Sequence, residues 1–196
     1  MQKTIPDRSV LKTVEYGLVV DWYGGRVAKR SGVPLINHIH EGLTILDTIG
    51  ADVVTQAAFC LHPLLQHDDD FYRMVERVAH HEGINPFALA LAVEYRSVAN
   101  EFLSDKILPG DDAETAAKRI RLSPLTAVNQ MLIADKVQNR KDFITYHRGT
   151  HPRSAELDIY FDAWLIRLGV REAHFRGLCG LVDYRCGLEF TTSDNS

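Results

Sequence analysis

Apolar residues recur along this chain at the three- and four-residue spacing of helices, whereas the alternation typical of strands is almost absent. Val54, Ala58, Leu61 and Leu65, for example, form a stripe that predicts a buried helix. The same spacing predicts helices at about 10–19, 39–46, 71–81, 86–103, 125–147 and 155–168, with a loop and a short helix between about 108 and 124. The pattern therefore indicates an all-α fold.

The length of 196 residues is typical of one domain that buries a full hydrophobic core. We interpret residues 1–170 as a single helical domain, because the helical pattern continues to Gly169 with no linker or internal repeat. Residues 171–196 contain several glycines and end in a polar run, so we expect a small C-terminal extension with a frayed end.

The composition is that of an ordinary globular protein, with 45% hydrophobic and 24% charged residues. A net charge of −4 argues against a general surface for a nucleic acid polymer. Three cysteines without paired spacing argue against a disulfide framework. No apolar run approaches the ~20 residues that cross a bilayer, and the N-terminus does not resemble a signal peptide. We therefore expect a cytoplasmic protein with no membrane partner.

The candidate chemistry lies in four segments of the chain. They are Lys29–His38, Phe59–Asp68, Asp105–Pro109 and Ala134–Phe143. On a helix, residues 135, 139 and 142 share one face, so Asp135, Asn139 and Asp142 are expected to point into one pocket.

On these segments the chain resembles the hydrolase domain of the RelA/SpoT alarmone enzymes, and within that family it is most similar to the small stand-alone metazoan form. Members carry a G-x-P-Y-I-x-H segment, then L-L-H-D-x-x-E-D, then L-A-D-K/R-x-x-N. Gly32–His38 fits the first segment with Leu35 in place of tyrosine, and Asp135–Asn139 fits the last. The resemblance spans most of residues 10–170 and implies a single all-α domain of the HD class.

The resemblance implies a divalent metal, usually manganese, that is held by two histidines and two aspartates. The matching positions are His38, His62 and Asp135, while the fourth position is Pro63, which has no donor atom. Hard cations such as manganese prefer carboxylate oxygens, so the loss of one carboxylate weakens the site. Either Mn²⁺, another divalent cation or no metal at all is compatible with this altered set.

The family's catalytic Glu-Asp pair, which activates and positions the attacking water, falls on Gln66 and His67. Glutamine cannot accept a proton at neutral pH, whereas an imidazole can. A proline inside a helix removes an N–H and clashes with the preceding turn, so we also expect a kink at Pro63. Such a kink would be one way to bring a donor from residues 67–69 towards the fourth metal position.

The resemblance also implies a set of ligand-binding positions that are better retained than the catalytic ones. The basic run before Gly32 would contact the purine and its phosphates, the helical asparagine would lie near the nucleoside, and a lysine from the third segment would add positive charge. The nucleotide-binding candidates, with the aspartate of the shared helical face, are Lys29, Arg30, Ser31, Lys106, Asn139 and Asp142.

These observations favour a degenerate HD-type pocket that binds a phosphorylated purine nucleotide of the signalling type, such as guanosine tetraphosphate, and sequesters or senses it. An alternative is an active metal-dependent nucleotide (pyro)phosphohydrolase with a rearranged metal site. A third interpretation is a helical protein-interaction module without a ligand pocket.

Overall fold

A computed structural model describes residues 8–29 and 31–185, and over these residues the chain is a single all-α domain with no strand. The helices are α1 (Val14–Tyr23), α2 (Ile36–Thr48), α3 (Val53–Leu65), α4 (Phe71–Ala79), α5 (Pro86–Glu101), α6 (Ala113–Ala117), α7 (Thr126–Asp142), α8 (Ser154–Arg167) and α9 (Glu172–Arg185). Short 3₁₀ turns occupy Arg8–Lys12 and Ser104–Lys106, and a π turn at Phe143–His147 extends α7. None of the described helices is long and apolar enough to cross a membrane.

Side-chain caps explain where several of these helices begin. The Asp52 carboxylate accepts a hydrogen bond of 2.8 Å from the Thr55 amide at the start of α3. The side chain of Asn85 accepts from the first amides of α5, and Pro86 stands at the first helical position, as the sequence predicts. Both devices satisfy amide groups that have no partner within the helix.

The α3 helix lies at the centre of the domain and packs against α1, α2, α5 and α7. Ten of its thirteen residues are buried, which agrees with a helix that is apolar on nearly all sides. Pro63 lies in its last turn, and the helix ends two residues later at Leu65. The proline therefore coincides with the end of the helix, where the loss of one N–H disturbs few further hydrogen bonds.

A close approach between α2 and α3 sets the position of the site described below. At Gly42 on α2, an added Cβ would overlap the aromatic ring of Phe59 on α3. Glycine is therefore required at this crossing, because any side chain would push the two helices apart. His38 lies one turn before Gly42, and His62 lies one turn after Phe59, so the crossing brings the two histidines together.

The α9 helix was not predicted from the sequence. It packs against α2 and α7 and buries Phe175, Leu178 and Val182. Arg140 of α7 contacts two residues of α9. Its guanidinium lies 4.4 Å from the centre of the Phe175 ring and forms an ion pair of 3.3 Å with Glu172. The polar end of the predicted C-terminal extension, residues 186–196, lies outside the described residues.

Candidate metal centre and cleft

A cleft with a volume of about 430 Å³ opens where α2, α3, α7 and α8 meet the loop that follows α1. This volume lies within the range of small-molecule binding sites. His38, His62 and Asp135, the three metal ligands that the resemblance implies, all line this cleft. The structure thus brings together three residues that are distant in the sequence.

The donor atoms of these residues are close enough to share one cation. The Nε2 atoms of His38 and His62 are 3.0 Å apart, and they lie 3.6 and 3.9 Å from Oδ1 of Asp135. Two donors that each lie about 2.0–2.2 Å from a metal are separated by roughly 3–4 Å. The residues present therefore fit a divalent metal, and the buried group could hold one.

The orientation of His38 is fixed by the second nitrogen of its ring. Its Nδ1 lies 2.6 Å from Oε1 of Gln138. The orientation of the Gln138 amide is determined in turn, because its Nε2 donates to the carboxylates of Glu41 at 3.1 Å and Asp142 at 2.7 Å. The amide oxygen can only accept, so His38 carries its proton on Nδ1 and presents the Nε2 lone pair to the cleft.

His62 is oriented by the main chain next to Pro63. In a regular helix the Phe59 carbonyl would accept the N–H of residue 63, but proline has none. Nδ1 of His62 instead donates to the Phe59 carbonyl at a distance of 2.6 Å. A carbonyl oxygen only accepts, so His62 also presents an Nε2 lone pair to the cleft.

Two lone pairs that face each other at 3.0 Å repel unless a cation lies between them. A single proton could join two of the three donors, whereas a metal ion can satisfy both imidazoles and the carboxylate at once. Hydrogen bonds from Nδ1 to a carbonyl or an amide oxygen are also what metal-bound histidines usually make. The geometry is therefore compatible with a single metal ion that is bound by all three donors.

Only one oxygen of Asp135 is available to a metal. Its Oδ2 is 2.8 Å from Nζ of Lys136, and both side chains are only 6% exposed. Lys136 also donates to the hydroxyl of Tyr160 at 3.1 Å. Oδ1 accepts from Nδ2 of Asn139 at 2.7 Å and keeps a second lone pair that faces the imidazoles.

The electrostatics of this cluster favour the forms that bind metals. Burial and the nearby positive potential of His38 lower the pKa of His62 to about 3, so its imidazole stays neutral. Burial opposes ionisation of Asp135, yet Lys136 and the two histidines hold the pKa of this carboxyl below its usual range. Burial likewise disfavours the charge on Lys136, but the carboxylate of Asp135 raises its pKa. Neutral imidazole and ionised carboxylate are the states that metal binding requires.

The other sequence candidates divide into residues that line the cleft and residues that do not. Lining residues include Ser31, Pro63, Gln66, Asn139 and Asp142. Lys29, Lys106 and His67 are not among them, and all three are exposed. Arg30 lies outside the described residues. Of residues 67–69, which could have supplied a fourth donor, Asp68 forms an ion pair with Arg96 instead.

The residues that orient the three candidate metal ligands were not predicted from the sequence. Gln138 follows Asp135 by three positions, and Glu41 follows His38 by three, so each shares a helical face with a ligand. That spacing was the available signal. Lys141, which pairs with Glu41 at 2.7 Å and thereby neutralises a buried carboxylate, has no comparable signal, because its partner is 100 positions away.

Comparisons of this chain with models of protein families, with curated proteins and with solved structures found no match. The resemblance to RelA/SpoT hydrolases therefore depends on the sequence motifs alone. The all-α fold and the convergence of His38, His62 and Asp135 do not depend on it, since both are features of the structure.

Proposed function

We propose that this protein binds a phosphorylated purine nucleotide of the signalling type, together with a divalent cation, and does not hydrolyse it. The observation that carries the proposal is the convergence of His38, His62 and Asp135 inside a cleft of nucleotide size. Sequestration or sensing of the nucleotide is the role that such binding would serve.

The charges of the cleft support a ligand that arrives with a cation. Lys136 is the one lysine or arginine among the described lining residues, and Asp135 already neutralises it. Asp142 adds a further negative charge to the wall. A bound divalent cation would supply the positive charge that a phosphate group needs. We therefore expect nucleotide binding to depend on the cation.

The remaining walls suit a nucleoside. Tyr160 and Phe161 of α8 contribute aromatic surface, while Asn37 and Asn139 offer amide groups that can donate and accept. Ser31, from the run that the resemblance assigns to purine contacts, also lines the cleft. A ring system with polar edges would be accommodated by this mixture of apolar and amide surfaces.

The positions that hydrolysis would use are altered. Pro63 has no side-chain donor atom, and Gln66 lines the cleft at a position where the resemblance to RelA/SpoT hydrolases implies a carboxylate. His67 is the remaining candidate base, but its side chain is exposed and does not line the cleft. We therefore expect little or no turnover.

A second candidate function is metal-dependent phosphohydrolysis. It is favoured by the small number of protein donors, because catalytic metal sites typically keep a position open for water. Asp142 also lines the cleft and could accept a proton from such a water. This alternative differs from the proposal in one observable, the release of phosphate or pyrophosphate.

Thermal denaturation with a panel of nucleotides, each with and without Mn²⁺ or Zn²⁺, tests the proposal. The panel would contain guanosine tetraphosphate, GTP and NADPH, and phosphate release would be followed in parallel. We expect a rise in Tm with at least one nucleotide, only when a cation is present, and no release. The His38→Asn variant should lose this rise, whereas His67→Asn, the same change outside the cleft, should keep it.

Metal-dependent release that is lost in His38→Asn would instead establish the hydrolase. A Tm that no nucleotide raises would overturn both functions and favour a helical interaction module.

A further inference from the structure

We propose that this centre selects zinc over manganese, and that Pro63 produces the selectivity by removing an oxygen donor and by freeing the carbonyl that orients His62. This inference deepens the proposed function, since it concerns the cation that would accompany the nucleotide. It does not require that a nucleotide be bound.

The donor types are the first reason. Two imidazole nitrogens and one carboxylate oxygen converge in the cleft, so nitrogen predominates. Imidazole suits zinc and its neighbours, whereas manganese and magnesium prefer sites rich in carboxylate and water. Two histidines and one carboxylate, with a position left for water, form a recurrent zinc-binding set.

The charge of the site is the second reason. Lys136 holds Oδ2 of Asp135 at 2.8 Å, so the carboxylate offers a single oxygen and its charge is balanced by the ammonium group. Two neutral imidazoles and a carboxylate that is balanced by an ammonium group leave the three donor residues without net negative charge, so these donors attract a hard cation weakly. A cation that bonds strongly to neutral imidazoles loses less affinity from this lack of negative charge than a hard cation does.

Pro63 contributes in two separate ways. As a residue without a side-chain donor that lines the cleft, it leaves the site without a second carboxylate. As a residue without an N–H, it leaves the Phe59 carbonyl to accept the Nδ1 proton of His62 at 2.6 Å. The second effect makes Pro63 a positioning residue, because it acts on the metal through His62.

Two substitutions at this position separate the two effects. Pro63→Ala restores the N–H without adding a donor, so the Phe59 carbonyl becomes shared and His62 is held less firmly. Pro63→Asp restores the same N–H and also adds a carboxylate that faces the cleft. The comparison of Asp with Ala isolates the oxygen donor, and the comparison of Ala with the native proline isolates the positioning.

Calorimetric titration of the metal-free protein with Zn²⁺ and with Mn²⁺, in the absence of nucleotide, measures the selectivity. For the native chain we expect Zn²⁺ to bind at least about 100-fold more tightly than Mn²⁺. Pro63→Ala should lower the affinity for Zn²⁺ by about tenfold, and Zn²⁺ should still bind much more tightly than Mn²⁺. In Pro63→Asp the ratio of the Zn²⁺ affinity to the Mn²⁺ affinity should be at least about tenfold smaller than in Pro63→Ala.

Equal affinities for the two metals in the native chain, or Mn²⁺ binding more tightly, would overturn the inference. The same Zn²⁺ to Mn²⁺ ratio in Pro63→Asp and Pro63→Ala would overturn the role given to the missing carboxylate. Unchanged Zn²⁺ binding in Pro63→Ala would overturn the positioning role. The absorption spectrum of Co²⁺ bound in place of Zn²⁺ gives a second readout, since a change of ligand set alters it. None of these results depends on whether a nucleotide binds, so the proposed function fails or stands separately.

Discussion

The ring of Phe59 fills the space that a side chain at Gly42 would need, and this contact fixes the distance between α2 and α3. Two candidate metal donors lie one helical turn away from it, His38 on α2 and His62 on α3. The separation of 3.0 Å between their Nε2 atoms is thus a consequence of helix packing in the core. A change that looks purely structural should therefore alter metal binding.

Gly42→Ala tests this link between packing and chemistry. Because the new methyl group would overlap the Phe59 ring, we expect the free energy of unfolding to fall by about 1–3 kcal/mol. The affinity for Zn²⁺ should fall by at least about tenfold, because ligands must be held within a fraction of an ångström. Urea denaturation and calorimetry measure the two effects.

The matched control is Gly17→Ala in α1, where nothing lies within 4 Å of the added Cβ. Because Gly17 is an exposed helical residue, its replacement by alanine should raise the free energy of unfolding by about 0.5–1 kcal/mol. The affinity of this variant for Zn²⁺ should be unchanged. An unchanged metal affinity in Gly42→Ala would separate the helix crossing from the site and contradict this account.

Gln138 orients His38, so its replacement should weaken binding of a metal at this centre without removing any of the three candidate ligands. Gln138→Met deletes the acceptor for Nδ1 of His38 at similar side-chain length. We expect the affinity for Zn²⁺ to fall by about 10- to 100-fold. Gln66→Met makes the same change elsewhere in the cleft, where the side chain forms no hydrogen bond to His38, His62 or Asp135, and should leave the affinity unaltered. Equal losses in the two variants would argue against an orienting role.

The buried pair of Asp135 and Lys136 should be strongly coupled. Asp135→Asn leaves the ammonium group of Lys136 buried beside a neutral amide, so we expect a loss of about 3–5 kcal/mol of stability in the metal-free protein. Adding Lys136→Met removes the uncompensated charge and should recover part of that loss. A double-mutant cycle by urea denaturation measures the coupling. Additive effects of the two substitutions would show that the pair does not interact.

The stability of the metal-free protein should fall as the pH is lowered below about 6.5. The pKa of His62 is lowered to about 3 by burial and by His38, so the unfolded chain takes up a proton that the folded chain refuses between these pH values. The stability that this group contributes is fully present at neutral pH and is lost towards pH 3. Each further pH unit in this window should cost up to about 1.4 kcal/mol.

Urea denaturation from pH 7.5 to 4.5 measures this dependence, and His62→Asn isolates it. The asparagine amide can still donate to the Phe59 carbonyl but cannot titrate. Its stability should depend less steeply on pH than that of the native chain, by about one proton. Identical slopes in the two proteins would show that His62 is not the group responsible.

The helices could be predicted where an apolar stripe or a capping residue marks them. The pattern of Val54 to Leu65 is confirmed as α3, and Asn85-Pro86 is confirmed as the start of α5. The α9 helix could not be predicted, because Gly177 and Gly180 dilute its narrow apolar stripe. The α9 helix is stabilised by packing on α2 and α7, and this tertiary packing cannot be predicted from the sequence of the helix itself.

The residues of the candidate site could be predicted from sequence motifs, whereas the contacts between them could not. The motifs indicated His38, His62 and Asp135, and the structure brings these three together. The role of Pro63 as a residue that frees the Phe59 carbonyl was not foreseen, because it depends on where the helix ends and on the rotamer of His62. That Lys29 and Lys106 do not line the cleft was not foreseen either, because a sequence shows which residues are charged and not where their side chains point.

The metal centre can be tested by the anomalous difference density of crystals grown with Zn²⁺, recorded on both sides of the zinc absorption edge. We predict one strong peak in the cleft, about 2.0–2.2 Å from Nε2 of His38, Nε2 of His62 and Oδ1 of Asp135. Electron density without such a peak, with the two imidazoles joined by a direct hydrogen bond, would contradict it.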